Sequence, residues 1–415
     1  MVRRPDGQVE HVRLSESQLR SVGGSAQLDR RRVRLAVTRP STVPRFGVRV
    51  GSADAPHVVT GIRDVQPIRP EDAPVALRPD AKATPYATIL CRFPDFPDVS
   101  PGTVADAERA MGTTYPGVAH FFDEVSDGRV NLSAGSRVFG WYTMPNPRST
   151  YLPGSSLNTT QAGADCAAAA DADVNFPDYV GVNFIFNTDI GCCAYGGGGG
   201  LSLDGGPRGY AMTWLHGDFR NIGVIKHEMG HSMGLQHSSG PYGLVYDSKW
   251  DVMSWAAWYA VPGTPFVTGS HFNAYGKRQL GWIPESRQFT VTPGTHTILL
   301  ESSALPGDNS NYLMARIPAP GYASNEYFTL EARGAAGYDL PLPGAGVVMY
   351  RVGGGGATPS NVVDPDGNFE PSDKGAVLEP GEWYLDRANG IRVRVQERVG
   401  NAYRVSISLN DYPRL

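Results

Sequence analysis

Apolar and polar positions along the chain fall into three successive patterns. Residues 1–80 hold two short alternating runs, Arg31–Val37 and Phe46–Val50, set among prolines, and these predict a small β-rich leader or pro-region. From about Lys82 the pattern lengthens. Ala87–Leu90 reads as a strand, Val104–Val125 as a helix with a weak point at Pro116, and Val180–Phe186 as a buried strand of mostly apolar residues. Gly196–Gly200 is a run of five glycines and predicts a loop, while Tyr210–Leu215 predicts another strand. Asn221 then offers a polar helix start ahead of Ile222, Val224 and Ile225, which would bury that helix. After Gly281-Trp282-Ile283-Pro284 the pattern alternates in seven short runs: Gln288–Val291, His296–Leu300, Tyr312–Ile317, Tyr327–Ala332, Val347–Val352, Ile391–Val395 and Tyr403–Ile407. Short strands separated by turns predict a β-sandwich. The expected organisation is a leader over 1–80, an α+β domain over 82–285 and a β-rich domain over 286–415.

Composition narrows the class. With 415 residues, 41% of them hydrophobic and 19% charged, the chain has room for a folded core in two or three domains. Fifty glycines and thirty-three prolines point to long shaped loops. A net charge of −4 argues against a nucleic-acid partner. The charge is uneven: residues 1–50 hold eleven Lys/Arg against four Asp/Glu, or +7, which leaves −11 for the remainder. A basic leader could therefore dock on an acidic domain. No run approaches the roughly 20 apolar residues of a membrane span. Met1-Val2-Arg3-Arg4 leads into polar sequence with no apolar signal core.

Four cysteines, Cys91, Cys166, Cys192 and Cys193, allow three complete pairings. Neighbours such as Cys192 and Cys193 rarely bond each other, so the favoured pairing joins Cys166 to one of them. Cys91, preceded by strand-like Ala87–Leu90, reads as an inward residue of that strand. In Asp364-Pro365-Asp366-Gly367-Asn368-Phe369-Glu370 oxygens alternate along a loop; a plain acidic turn is the first reading and a calcium ion the second.

The chemistry concentrates in residues 227–237, His-Glu-Met-Gly-His-Ser-Met-Gly-Leu-Gln-His. His227 and His231 are four apart and share one helix face, a turn apart, where both can grip one metal ion. Gly234 lets the chain leave the helix at positive φ, so that His237 can return as a third ligand. Three neutral imidazoles leave a fourth position open on zinc, which marks a catalytic site over a closed structural one. Glu228 stands beside the first ligand as a base. Sixteen residues beyond His237 lies Met253, in Trp250-Asp251-Val252-Met253-Ser254-Trp255.

With this motif and turn the chain resembles the metzincin zinc metallopeptidases, most closely the secreted gametolysin-like and immune-inhibitor-A-like peptidases. Weaker matches run through Ile89–Pro97, His120–Val130, Ala274–Trp282 and Tyr327–Arg333. The resemblance implies a protease domain with a twisted mixed sheet and an active-site helix, one catalytic Zn²⁺ on His227, His231 and His237, and Glu228 as general base. Met253 becomes the hydrophobic floor under the metal. Tyr210–Leu215 becomes the edge strand that pairs with extended substrate. An extracellular monomer acting on protein or peptide substrates is expected. Where some metzincins carry a tyrosine two residues after the floor methionine, this chain has Trp255; Tyr242, Tyr246 and Tyr259 are the candidates to replace it. Cys91-Arg92-Phe93-Pro94-Asp95 lacks the glycine usual in a zinc-capping cysteine switch, so the strand reading of Cys91 stands. The competing functions are a catalytically silent binding protein braced by zinc and a latent zymogen held by residues 1–80 with a narrow glycoprotein substrate range.

Overall fold

The computed structural model describes residues 77–410 except 192–193, 205, 320, 322–325 and 354–357, together with 2–3, 9–10, 12, 14–22, 31–38 and 58–67. Within the leader, Arg31–Thr38 pairs antiparallel with Val58–Pro67. The expected run Phe46–Val50 lies outside the described residues. The chain is α+β, as its pattern predicts.

Five strands build the first sheet: β1 (Tyr86–Arg92), β2 (Arg137–Thr143), β3 (Gly181–Phe186), β4 (Ala194–Leu203) and β5 (Gly206–His216), in the order β4-β5-β3-β1-β2. The sheet is mixed. β4 runs antiparallel to β5, and the remaining pairs are parallel. Strand β1 shows why both faces must be covered: Tyr86 and Leu90 enter one apolar cluster, Ala87, Ile89 and Cys91 the other.

Helices cover those faces. One helix was expected over Val104–Val125; the structure has two, α1 (Val104–Met111) and α2 (Val118–Val125). The break is a compact turn holding a cis Tyr115–Pro116 bond. Chain crowding also requires glycine there, since a Cβ on Gly117 would stand 2.2 Å from the Gly112 carbonyl oxygen. Helix α3 (Thr159–Ala170) places Ala162, Cys166, Ala167 and Ala170 against the face of β1 that holds Cys91. The disulfide follows from that packing. Cys91 bonds Cys166, their Cα atoms 5.9 Å apart, which corrects the expected partnership of Cys166 with Cys192 or Cys193. Both of those residues lie outside the described ones.

Two further expectations change at the sheet edge. Tyr210–Leu215 lies within β5, an inner strand flanked by β4 and β3, so it is not an edge. The five glycines form no loop; they are the middle of β4, the edge strand.

All seven predicted C-terminal strands are present, as part of two sheets. Seven strands form one: β6 (Ser238–Ser239), β7 (Gln288–Thr290), β9 (Met314–Pro318), β10 (Tyr327–Arg333), β11 (Gly346–Val352), β12 (Ser360–Val362) and β13 (Val377–Leu378). Four form the other: β8 (Gly294–Glu301), β14 (Trp383–Asp386), β15 (Ile391–Val399) and β16 (Ala402–Leu409). Their facing residues, among them Leu300, Ile317, Phe328, Leu330, Val393 and Val405, make one apolar core, as in a β-sandwich. Strand β10 is buried along its whole length, because the second face of its sheet rests on Trp250.

Candidate metal centre

Helix α4 (Ile222–Ser232) carries the motif. Its start is fixed by Asn221, whose side chain accepts a hydrogen bond from the Val224 N–H at 3.4 Å. The helix is enclosed on most sides, with Ile222, Gly223 and Ile225 through Gly230 buried. Even Lys226 is fully buried. Its Nζ donates to Thr268 Oγ1 at 2.7 Å and lies 4.0 Å from the Tyr338 ring centre, and burial pulls its pKa well below the usual lysine range. At the exit, Gly234 has φ +100°, the left-handed turn that the spacing of the motif predicts.

That turn brings His237 back to the helix. The Nε2 atoms of His227 and His231 are 3.1 Å apart, as are those of His231 and His237. Tetrahedral zinc with nitrogen ligands at about 2.0–2.1 Å sets its ligand atoms about 3.3 Å apart, so both pairs that include His231 are near the separation an ion needs, and all three ligand atoms lie within 4.8 Å of one another. Among the described residues it is the group of three whose ligand atoms converge and could hold a metal ion.

Protonation favours the same outcome. His227 Nδ1 is 2.8 Å from the Val252 carbonyl oxygen, and His231 Nδ1 is 2.8 Å from that of Leu235. A carbonyl only accepts, so each Nδ1 carries the proton and each Nε2 presents its lone pair to the centre. Burial lowers all three histidine pKa values, that of His227 to about 3, which keeps the rings in the neutral, ligating form. Beside them burial raises the Glu228 carboxyl to about 7.

Met253 is buried and presses on the helix from below: a Cβ on Gly230 would stand 2.5 Å from its Sδ. On the sheet side β4 is equally close, with Gly196 directly against the helix backbone. Sequence reasoning missed this contact because a glycine run has the composition of a loop. Glycine inside a strand also signals close backbone approach, and that was the available clue.

The three tyrosine candidates separate. Tyr246, exposed and at φ +58°, places its hydroxyl 3.4 Å from His237 Nε2. Tyr242 is turned away to Asp364, to which its hydroxyl donates, and its ring centre lies 4.7 Å from that of Phe369 with the planes tilted by 35°. Tyr259 sits in a short hairpin against Trp258. The acidic loop closes on itself: Asp364 accepts from the Phe369 N–H at 3.2 Å, and the Asn368 amide donates to Asp366 and Asp373 at 3.1 and 2.8 Å. These contacts engage part of the loop's oxygen set, while Asp364 Oδ1 is buried without a hydrogen-bond partner among the described residues.

No family model matches the chain, and no curated protein matches it in sequence. Some solved structures resemble it in part of their fold. Metalloproteinase-II from Bacteroides fragilis is 17% identical over 51% of this chain and 57% of that one, with a TM-score of 0.27. A chaperone–substrate complex is 12% identical over 48% of this chain and 32% of that one, with a TM-score of 0.24. This chain therefore spans little more than half of the first and about a third of the second, and likeness at this level carries no argument about activity.

Proposed function

We propose that this chain is a zinc-dependent endopeptidase with His227, His231 and His237 as metal ligands and Glu228 as general base. The observation that carries this reading is the convergence of three neutral imidazoles at ligand spacing beside a buried carboxyl. A zinc ion held there would supply Lewis acidity and make an attacking water more acidic. Glu228 takes a proton from the attacking water and delivers it to the leaving amine. The Tyr246 hydroxyl, 3.4 Å from His237 Nε2, would serve as a donor to the oxygen of the reacting carbonyl.

Extended substrate has a docking edge in β4, which among the described residues pairs only with β5. An intact base at Glu228 favours the peptidase over a silent zinc-braced binding protein, which has no use for one. The Cys91–Cys166 bond suits an oxidising, extracellular setting, and no described helix is long and apolar enough to cross a membrane.

The test is cleavage of unfolded casein by the native chain and by Glu228→Gln, each shown to hold one zinc. Loss of about 10²-fold or more in the variant is expected. Equal cutting by both would remove Glu228 from the mechanism. If neither cuts, a chain beginning near Lys82 tests whether the leader holds the enzyme latent.

A further inference from the structure

The third ligand and the turn under the metal are both attached to the C-terminal sheet. His237 is followed at once by β6, whose Ser238 and Ser239 pair in parallel with Ser360 and Asn361 of β12. The Trp250 carbonyl, two residues before the one that orients His227, accepts from the Arg333 guanidinium of β10 and from the Tyr350 hydroxyl of β11, the latter at 3.1 Å.

A second route reaches the same turn. Arg333 forms a buried pair with Asp339, joined at 2.7 and 2.5 Å. Burial alone would raise the Asp339 carboxyl, but Arg333 and His271 hold it at about 2. Asp339 Oδ1 accepts from the His271 N–H at 3.1 Å, the His271 carbonyl accepts from the Val252 N–H at 3.2 Å, and the Val252 carbonyl accepts from His227. Every link is buried. A buried ion pair is a poor source of net stability, since desolvating both charges offsets their attraction. Its fixed geometry has another use here, which is to orient the groups bonded to it.

We propose that the C-terminal sheet is the frame of the metal site, with Arg333 and Tyr350 as positioning residues for His227 and β12 as the support of His237. The inference rests on the metal reading above and adds to it: the sandwich is no accessory, because two of the three ligands take their orientation from it. Metal binding and the order of this sheet are then coupled, each stabilising the other.

The experiment uses the full chain. Arg333→Lys is the direct variant, but it disturbs a fully buried pair and can prevent folding. Tyr350→Phe keeps the ring and removes only the hydroxyl on Trp250. Thr329→Val is the control: Thr329 is equally buried in β10, and its hydroxyl has no partner among the described residues. Zinc affinity is expected to fall roughly tenfold in Tyr350→Phe and to stay unchanged in Thr329→Val. The visible absorption of the cobalt(II)-loaded chain, which reports ligand geometry, should change in the first variant alone.

In the native chain, zinc should slow amide exchange in Gly346–Val352 and Ser360–Val362 as well as around the histidines. Protection confined to residues 222–255, with native affinity in Tyr350→Phe, would overturn the inference and leave the metal reading intact. A native chain that binds no zinc would sink both, and that outcome is read directly in the same titration.

Discussion

Gly196 of the edge strand lies flush against the backbone of Glu228: a Cβ at Gly196 would stand 2.1 Å from the Glu228 carbonyl oxygen and 2.7 Å from His231 Cβ. The next glycine, Gly197, has open space on its Cβ side. Two neighbouring glycines of one strand therefore have opposite tolerances. Gly196→Ala should destabilise the fold by about 1–3 kcal/mol and weaken zinc binding, because backbone cannot yield as a flexible side chain can. Gly197→Ala should be neutral or stabilise by up to about 1 kcal/mol, by restricting the unfolded chain. Urea denaturation of the two variants checks the pair, and equal effects would contradict the contact.

The Cys91–Cys166 bond closes 75 residues of chain. By loop entropy alone, Cys91→Ala with Cys166→Ala should lower stability by about 4 kcal/mol. Peptide mapping of the unreduced native chain should recover Cys91 and Cys166 in one linked fragment. A fragment linking Cys166 to Cys192 or Cys193 would refute the pairing.

Asp123, on α2, has its carboxyl raised to about 7 by burial. The folded chain therefore holds this proton more tightly than the unfolded chain does. The resulting stability is complete below about pH 4, the unfolded value, and is lost as pH rises to about 7. Native minus Asp123→Asn stability, measured by denaturation at several pH values, should decline between these limits and level off above them. A difference independent of pH would show that Asp123 is not held protonated.

Tyr246→Phe should keep its zinc and lose about 10²-fold in kcat/KM, the loss typical of one missing donor to a reacting oxygen. Tyr242→Phe, which releases only the bond to Asp364, should lose far less. Equal losses in the two variants would mean that Tyr246 acts on the loop alone.

What could be read from the sequence was local in the chain. The period of a helix puts His227 and His231 on one face, and a glycine at a helix exit announces the left-handed turn that returns His237; both are decided within eleven residues. Alternation predicted the seven C-terminal strands because one face of each meets a shared apolar core, even in β10, whose other face is buried as well. What could not be read was decided by distant partners. The place of β5 inside its sheet depends on β3 and β4, and β6 is two serines with no pattern at all until β12 lies beside them. Cys91 found Cys166 because α3 packs on β1, a tertiary fact absent from the spacing of four cysteines. Pro116 marked the weak point of the expected helix, and Gly112 and Gly117 beside it carried the rest of the signal for the break between α1 and α2.

The carbonyls that receive the His227 and His231 Nδ1 protons belong to Val252 and Leu235. A main-chain oxygen is supplied by every amino acid, so no exchange of side chain at either position deletes the acceptor. Mutation can reach these two contacts only by moving the backbone. The part of the site that sets ring orientation is in this sense shielded from ordinary sequence drift, while the three proposed ligands and Glu228 are each one codon from loss.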